Sequence, residues 1–238
     1  MIVQANYLEP PDKTGHFMRK NRFVALSTVF FLVLGVSAVS LAGSISAKEI
    51  IKKVKKKYSE LQSLQAEFDQ TYKWELAGET QSVHGTLILR AGDNYRIETD
   101  AQLIVTDGVT VWTYSKRDSQ VIIDYLSKSE DNPLPKDLLF KYSEEYVPHL
   151  VGQEMLDGEN TYVLNLVPKE EESFIKSMKI WVDTSNWFTV KIEQVDINDN
   201  VNIYRVKNIQ ENVQLPPTLF KFEIPKNAEV VDLRESDL

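Results

Sequence analysis

The chain has 238 residues, a formal net charge of −8 and no cysteine. That excludes disulfides, thiolate metal sites, cysteine nucleophiles and a lipid-modified cysteine anchor. With 42% hydrophobic and 26% charged residues, the chain is globular in character and long enough for one large β domain or two small ones. Its acidic balance disfavours nucleic acid and anionic headgroups as partners.

The N-terminus reads as an address. Arg19, Lys20 and Arg22 precede an apolar run from Phe23 to Leu41, and small residues follow in SLAGSISAKE. Basic, apolar and small-residue regions in that order make a secretory signal, cleaved after Ala42 or Ala47. The run is long enough to fit an uncleaved anchor as well. Residues 1–17 fit neither signal nor domain, and a start at Met18 would give MRKNRF. Residues 1–47 are therefore read as the signal region and 48–238 as a single exported domain. Losing Lys13, Arg19, Lys20 and Arg22 against Glu9 and Asp12 makes the remainder more acidic still.

In KEIIKKVKKKYSELQSL, Ile50, Ile51, Val54, Tyr58, Leu61 and Leu64 recur at helical spacing, with lysines over much of the rest. Two readings stay open: a helix packed on the domain with a solvated basic face, or a docking surface for an acidic partner or membrane.

The period then changes to two. In AEFDQTYKWEL, Ala66, Phe68, Gln70, Tyr72, Trp74 and Leu76 share one side, and Glu67, Asp69, Thr71, Lys73 and Glu75 the other. Strands are predicted at 82–90, 95–99, 102–106, 109–115 and 120–125, joined as a meander by AGDN, TDG and KRDS. A second series runs through 149–156, 161–167, 175–183, 188–195, 201–209 and 219–224. In DGVTVWTYS (107–115), Val109, Val111 and Thr113 face one way and Thr110, Trp112 and Tyr114 the other, so neither face is plainly the wet one. Between the series, Pro133 and Pro135 precede Leu138, Leu139, Phe140 and Tyr142, a short helix with an apolar side that serves as connector or lid.

The fold class is mainly β: roughly eleven antiparallel strands in a strongly curved sheet, an open, incomplete β-barrel with an N-terminal amphipathic helix. Its inner aromatics either fill a core or line a pocket.

Motifs for chemistry are few. Ser173-Phe-Ile-Lys176 matches S-x-x-K, but no Ser-Asp-Asn or Lys-Thr-Gly follows. His84 and His149 lie in strands without a nearby partner in sequence. DINDN (196–200) lacks the glycine and distal glutamate of a calcium loop and reads as a hairpin turn. No glycine-rich phosphate loop is present. The expected protein is not an enzyme and needs no metal or cofactor.

Residues 61–125 resemble the outer-membrane lipoprotein carrier family, the LolA-type periplasmic proteins. The likeness rests on Leu61, Leu64, Phe68 and Gln70, on Gly85-Thr86-Leu87-Ile88-Leu89-Arg90, on Tyr95-Arg96, and on LIVTDG (103–108) with Trp112, Tyr114 and Gln120-Val121. NPLPKDLL and the closing FKFEIPKNAEVVDL fit too. One departure is Arg90-Ala91, where the family has Arg-Pro. The resemblance implies an open barrel with a helical lid that carries lipoprotein acyl chains from the inner to the outer membrane. It also implies a periplasmic location, an inner-membrane ABC transporter as donor, and an outer-membrane lipoprotein as acceptor. Neither nucleic acid nor a second copy is expected as partner, the state being a monomer. On this reading Arg90 latches a lid formed by Leu138, Leu139, Phe140 and Tyr142. The cavity is lined by Phe68, Tyr72, Leu87, Leu89, Tyr95, Leu103, Val105, Trp112 and Tyr114. A module that senses lipids or lipoproteins for an envelope regulatory pathway is the alternative.

Overall fold

The computed structural model describes residues 45–128 and 145–234. Residues 1–44, most of the expected signal region, and the expected lid residues Leu138, Leu139, Phe140 and Tyr142 lie outside them.

Helix α1 spans Ala47–Ser59, and Ser46 Oγ accepts the backbone N–H of Glu49 at 3.2 Å. That cap satisfies one of the donors left open in a first helical turn. Lys56 and Lys57 in the last turn suit its negative end. Ile50, Ile51, Val54 and Tyr58 are buried as the periodicity requires. Leu61 and Leu64 lie beyond the helix yet pack into the same core, because the chain turns back over that core as a strand.

The strands are β1 (Ser63–Trp74), β2 (Glu79–Arg90), β3 (Asn94–Thr99), β4 (Gln102–Asp107), β5 (Thr110–Ser115), β6 (Gln120–Tyr125), β7 (Tyr146–Leu156), β8 (Glu159–Pro168), β9 (Ile175–Asp183), β10 (Thr189–Asp196), β11 (Val201–Glu211) and β12 (Glu229–Asp232). They form one sheet in the order β12-β6-β5-β4-β3-β2-β1-β11-β10-β9-β8-β7. Two meanders, β1 to β6 and β7 to β11, thus meet where β1 pairs with β11. The outermost strands β12 and β7 do not pair with each other, so the barrel stays open.

The expected strand over 219–224 is corrected. Pro216 and Pro217 set up a 3-10 turn over Pro217–Phe220, and the last strand forms later, parallel to β6. A backbone whose φ is fixed and whose N–H is missing makes a turn there more readily than a ladder.

Sheet curvature follows from packing. Seven adjacent strands from β2 to β7 would be about 29 Å across if flat, at about 4.8 Å per strand. Yet Leu87 of β2 and Tyr146 of β7 share one core with α1, a rod only about 10–12 Å thick. The sheet therefore wraps the helix. Register shifts in β1, β9–β10 and β7 supply the local bends.

Residues directly opposite in an antiparallel ladder share a face, so the register sorts every side chain. Leu64↔Leu89, Ala66↔Leu87 and Phe68↔Gly85 lie on the helix-covered face. The other face carries ion pairs and charged hydrogen bonds: across strands Lys207 with Asp69 and His84 with Asp69 at 2.9 Å, within β3 Arg96 with Glu98 at 2.7 Å, and from the end of β5 Lys116 with Glu98 at 3.2 Å.

Part of that second face is covered by the C-terminal segment. Phe220 is only 1% exposed, with the Arg90 guanidinium 4.4 Å above its ring. Phe222 stacks 6.3 Å from Trp112 and 6.2 Å from Tyr114. This accounts for the ambiguity of DGVTVWTYS. Val111 belongs to a core with Tyr95 and Ile104 on one side, while Trp112 is covered by Phe222 on the other.

Two outcomes are expected. Phe220→Ala should lower the unfolding free energy in urea by about 3–5 kcal/mol, whereas Val109→Ala, at a side chain 65% exposed, should change it by under about 0.5 kcal/mol. Lys207 and then His84 hold the Asp69 carboxyl below its ordinary 3.8. The folded value being the lower one, this carboxylate stabilises the fold above pH 3.8, and that contribution is lost as pH falls through the depressed value. Asp69→Asn should therefore lose less stability than the wild type between pH 7 and pH 3. An equal loss would remove Asp69 from the acid response.

Candidate functional site

Reading the register across the sheet gives the helix-covered face a distinct chemistry. In β1 it carries Phe68, Gln70, Tyr72 and Trp74, and in β2 Gln81, Val83, Gly85, Leu87 and Leu89. It continues with Tyr95, Ile97 and Thr99 in β3, Gln102, Ile104 and Thr106 in β4, and Val111, Thr113 and Ser115 in β5. On the other side of β1 it carries Asn202, Tyr204 and Val206 of β11. Through these strands the carboxylates on this face are Glu79, at the start of β2, and Glu211, at the end of β11, which meets Lys57 of α1; no strand lysine or arginine joins them.

Helix α1 covers only part of this face. Leu87 is buried in the core beneath it, with Leu89 and Phe68 packed against that core. Phe68 lies so flat on its neighbour that a Cβ at Gly85 would sit 2.7 Å from its ring and 2.6 Å from the Glu98 carbonyl. Glycine is thus required at 85 by close approach. Tyr95, 3% exposed, centres a second cluster with Ile104 and Val111.

The nine residues expected to line one cavity divide between the two faces of the sheet. Phe68, Tyr72, Leu87, Leu89 and Tyr95 share the helix-covered face. Leu103, Val105, Trp112 and Tyr114 lie on the opposite one, since Tyr95 pairs with Thr106 and Ile97 with Ile104. The β3–β4 hairpin pairs odd with even positions, so aromatic character alone misled: Trp112 and Tyr114 are large because they receive Phe222.

Three open cavities flank the helix and this face. One of 390 Å³ is lined by Gln70, Tyr72, Trp74, Gln81 and Val83. A second, of 260 Å³, sits where the end of α1 meets the β2–β3 turn and includes Tyr58, Leu89, Arg90 and Tyr95. The third, of 430 Å³, lies between Lys48, Lys52, Lys55 and Ile51 of α1 and Tyr146, Val147 and Pro148 of β7.

Arg90 donates to Asn94 Oδ1 at 2.8 Å and lies over Phe220. Its contacts among the described residues thus tie the end of β2 to the β2–β3 turn and the C-terminal segment. The basic helix face is partly engaged too: Lys53 lies 4.4 Å over the Trp187 ring, and Lys57 meets Glu211 at 2.6 Å. Tyr58 is held at the Thr189 backbone, and burial pushes its hydroxyl pKa up, keeping it neutral.

A polar network on the uncharged face was not singled out in the sequence. Gln70 Nε2 donates to Asn202 Oδ1 and Tyr204 Oη, each at 3.1 Å, and Asn202 Nδ2 donates to Tyr204 Oη at 2.9 Å. The available signal was Gln70 itself, a polar residue in phase with Phe68 and Tyr72.

The motifs that resembled chemistry do not assemble. Ser173 Oγ donates to the Ile175 carbonyl at 3.0 Å while Lys176 pairs with Asp199 at 2.5 Å, so the S-x-x-K serine and lysine part company. Asp196 accepts from the Asn198 and Asn200 backbones at 2.8 and 3.0 Å, which makes 196–200 a hairpin turn. His84 meets Asp69, but no hydroxyl is hydrogen-bonded to it among the described residues. Nor do the described residues hold a group of three or more metal-ligating side chains, or a helix long and apolar enough to cross a membrane.

A family model described as outer membrane lipoprotein carrier protein LolA matches residues 59–223. An uncharacterized protein of Methanocaldococcus jannaschii is 29% identical over 208 residues, 84% of this chain; the chain spans 58% of that protein's length. The outer-membrane lipoprotein carrier protein of Actinobacillus pleuropneumoniae serotype 3 is 26% identical over 206 residues, 85% of this chain and 93% of the relative. The crystal structure of an uncharacterized conserved protein from Thermus thermophilus superposes with a TM-score of 0.55 at 16% identity, over 78% of this chain and 98% of that one. This last likeness shows the fold alone. The open sheet wrapped on one helix, and a family match that runs from the end of α1 past Phe222, make the chain a member of the outer membrane lipoprotein carrier protein LolA family.

Proposed function

We propose that the protein is an exported, non-enzymatic carrier that binds the acyl chains of lipoproteins on its helix-covered face and moves them from the inner to the outer membrane. The observation that carries this reading is the absence of lysine and arginine from that face through β1–β5 and β11, against the ion-paired face behind it. An ordinary core explains the part beneath α1. It does not explain why a surface free of lysine and arginine continues past the helix to Val83, Thr113 and Trp74, which are half-exposed.

Burying one methylene is worth about 0.8 kcal/mol, so ten from one chain give roughly 8 kcal/mol gross. A charge placed among them would cost several kcal/mol unless paired. Phe68, Tyr72, Leu87, Leu89 and Tyr95 are the lining we assign, with Val83, Ile97 and Ile104 beside them. The family relationship supports lipoprotein cargo, and with it a periplasmic site of action, an inner-membrane ABC transporter as donor and an outer-membrane lipoprotein as acceptor.

We assign the mature N-terminus to Gly43. Ile45 and Ala47 pack against the core and Ser46 caps α1. Cleavage after Ala42 keeps all three, whereas cleavage after Ala47 discards the cap, worth about 1 kcal/mol.

Mass spectrometry of the protein purified from periplasmic extract should find acylated ligand. A Thr113→Lys variant should bind a synthetic diacylated lipopeptide at least about ten-fold more weakly, while Ser82→Lys on the opposite face binds normally. Equal affinity in both variants would contradict the assigned face. N-terminal sequencing of the exported protein should begin at Gly43, and a start at Lys48 would overturn that assignment.

A further inference from the structure

The cavity bounded by Gln70, Tyr72, Trp74, Gln81 and Val83 is not part of the greasy core. Phe68, flat on Gly85, precedes its lining along β1, and beyond that ring the same face turns polar, with Glu79 opposite Trp74. Tyr72 and Trp74 form an edge-to-face aromatic wall, with ring centroids 4.5 Å apart. Asn202 and Tyr204 of β11 are not part of its lining but stand beside it, hydrogen-bonded to Gln70 from the other side of β1.

The hydrogen bonding there is incomplete. Tyr204 Oη accepts from both Gln70 Nε2 and Asn202 Nδ2, which uses both lone pairs and leaves its proton to donate. No acceptor for that proton, and no donor to Gln70 Oε1, occurs among the described residues. A half-buried donor and acceptor side by side on an otherwise apolar face call for a partner. Burial also pushes the Tyr204 pKa up, which keeps the hydroxyl a neutral donor.

Charge narrows the class of partner. Two carboxylates stand near: Asp196, whose oxygens are occupied by Asn198, Asn200 and Tyr72, and Glu79, directly opposite Trp74 on the same face. With no lysine or arginine on this part of the face, a phosphate or a free carboxylate would enter without a counter-ion.

We propose that this 390 Å³ cavity is a subsite for the uncharged ester and amide carbonyls that join acyl chains to the polar end of an acylated ligand. Gln70 Oε1 accepts from an amide N–H or hydroxyl, Tyr204 beside Gln70 donates to a carbonyl oxygen at the cavity's edge, and Trp74 covers the linkage. The chains run back past Phe68 onto the uncharged face. The subsite rests on the carrier reading and adds to it the group by which the ligand is oriented. A lipoprotein's acylated N-terminus and a free glyceride both present such carbonyls.

The test compares four probes on the full exported protein: monomyristoylglycerol, myristate, a synthetic diacylated lipopeptide and diphenylhexatriene, which is apolar and has no head. Wild type should bind monomyristoylglycerol about ten-fold more tightly than myristate. Tyr204→Phe and Gln70→Leu should reduce that ratio about ten-fold and leave diphenylhexatriene unchanged. Gln81→Leu, at an exposed position, should lower the ratio without disturbing the network. Lipopeptide bound more tightly than the glyceride identifies the lipoprotein as the source of the carbonyls, and the reverse order identifies free lipid. Variants that keep the wild-type ratio would overturn the subsite while leaving the carrier intact. Failure of all four probes to bind would overturn both.

Discussion

The structure depends on keeping lysine and arginine off one side of a curved sheet through β1–β5 and β11. A β-strand alternates its side chains strictly, and each lysine or glutamate of the second face is one residue away from the first. A register slip of one position in β1 would put Asp69 and Lys73 where Phe68 and Tyr72 now lie. Several kcal/mol per buried charge oppose that slip, and the cross-strand pairs of Asp69 with Lys207 and His84 hold the ions where they are. The same arrangement provides register and an apolar surface.

Two segments cover this sheet, one on each side, and neither is a strand. Helix α1 lies on the uncharged face, with four buried side chains facing the core, and the sheet bends to meet it. The C-terminal segment lies on the other face, placing Phe220 beneath Arg90 and Phe222 against Trp112. Covering β4 and β5 from behind lets those strands carry bulky residues on both faces. The β1–β11 side keeps an outer face of ion pairs instead.

Much of this was legible in the sequence. Alternation in AEFDQTYKWEL assigned both faces of β1 correctly, and the stripe Ile50–Tyr58 placed the helix. The meander turns gave the strand boundaries to within a few residues in most cases. What failed has identifiable physical causes. The segment after Pro216-Pro217 looked like a strand because Leu219, Phe220 and Phe222 are apolar, but they are apolar for burial against the outer face of another strand pair. Trp112 and Tyr114 are apolar on that same outer face, where Phe222 lies against them. Deciding between the two faces of β4 and β5 needed the β3–β4 register, which two turn residues, Asp100 and Ala101, set without a distinctive signature. The Gln70–Asn202–Tyr204 network joins strands 132 and 134 residues apart in sequence, beyond the reach of any local pattern.

The face assignment is tested most directly by site-specific photocrosslinking. A photoreactive residue is placed singly at Val83 or Thr113 on the uncharged face, and at Ser82 or Ile203 on the face behind it, with an acylated lipopeptide as ligand. Crosslinks to the acyl chain from Val83 and Thr113, and not from Ser82 and Ile203, are what this account requires. Acyl crosslinks that form from Ser82 or Ile203 while Val83 and Thr113 stay silent would contradict it.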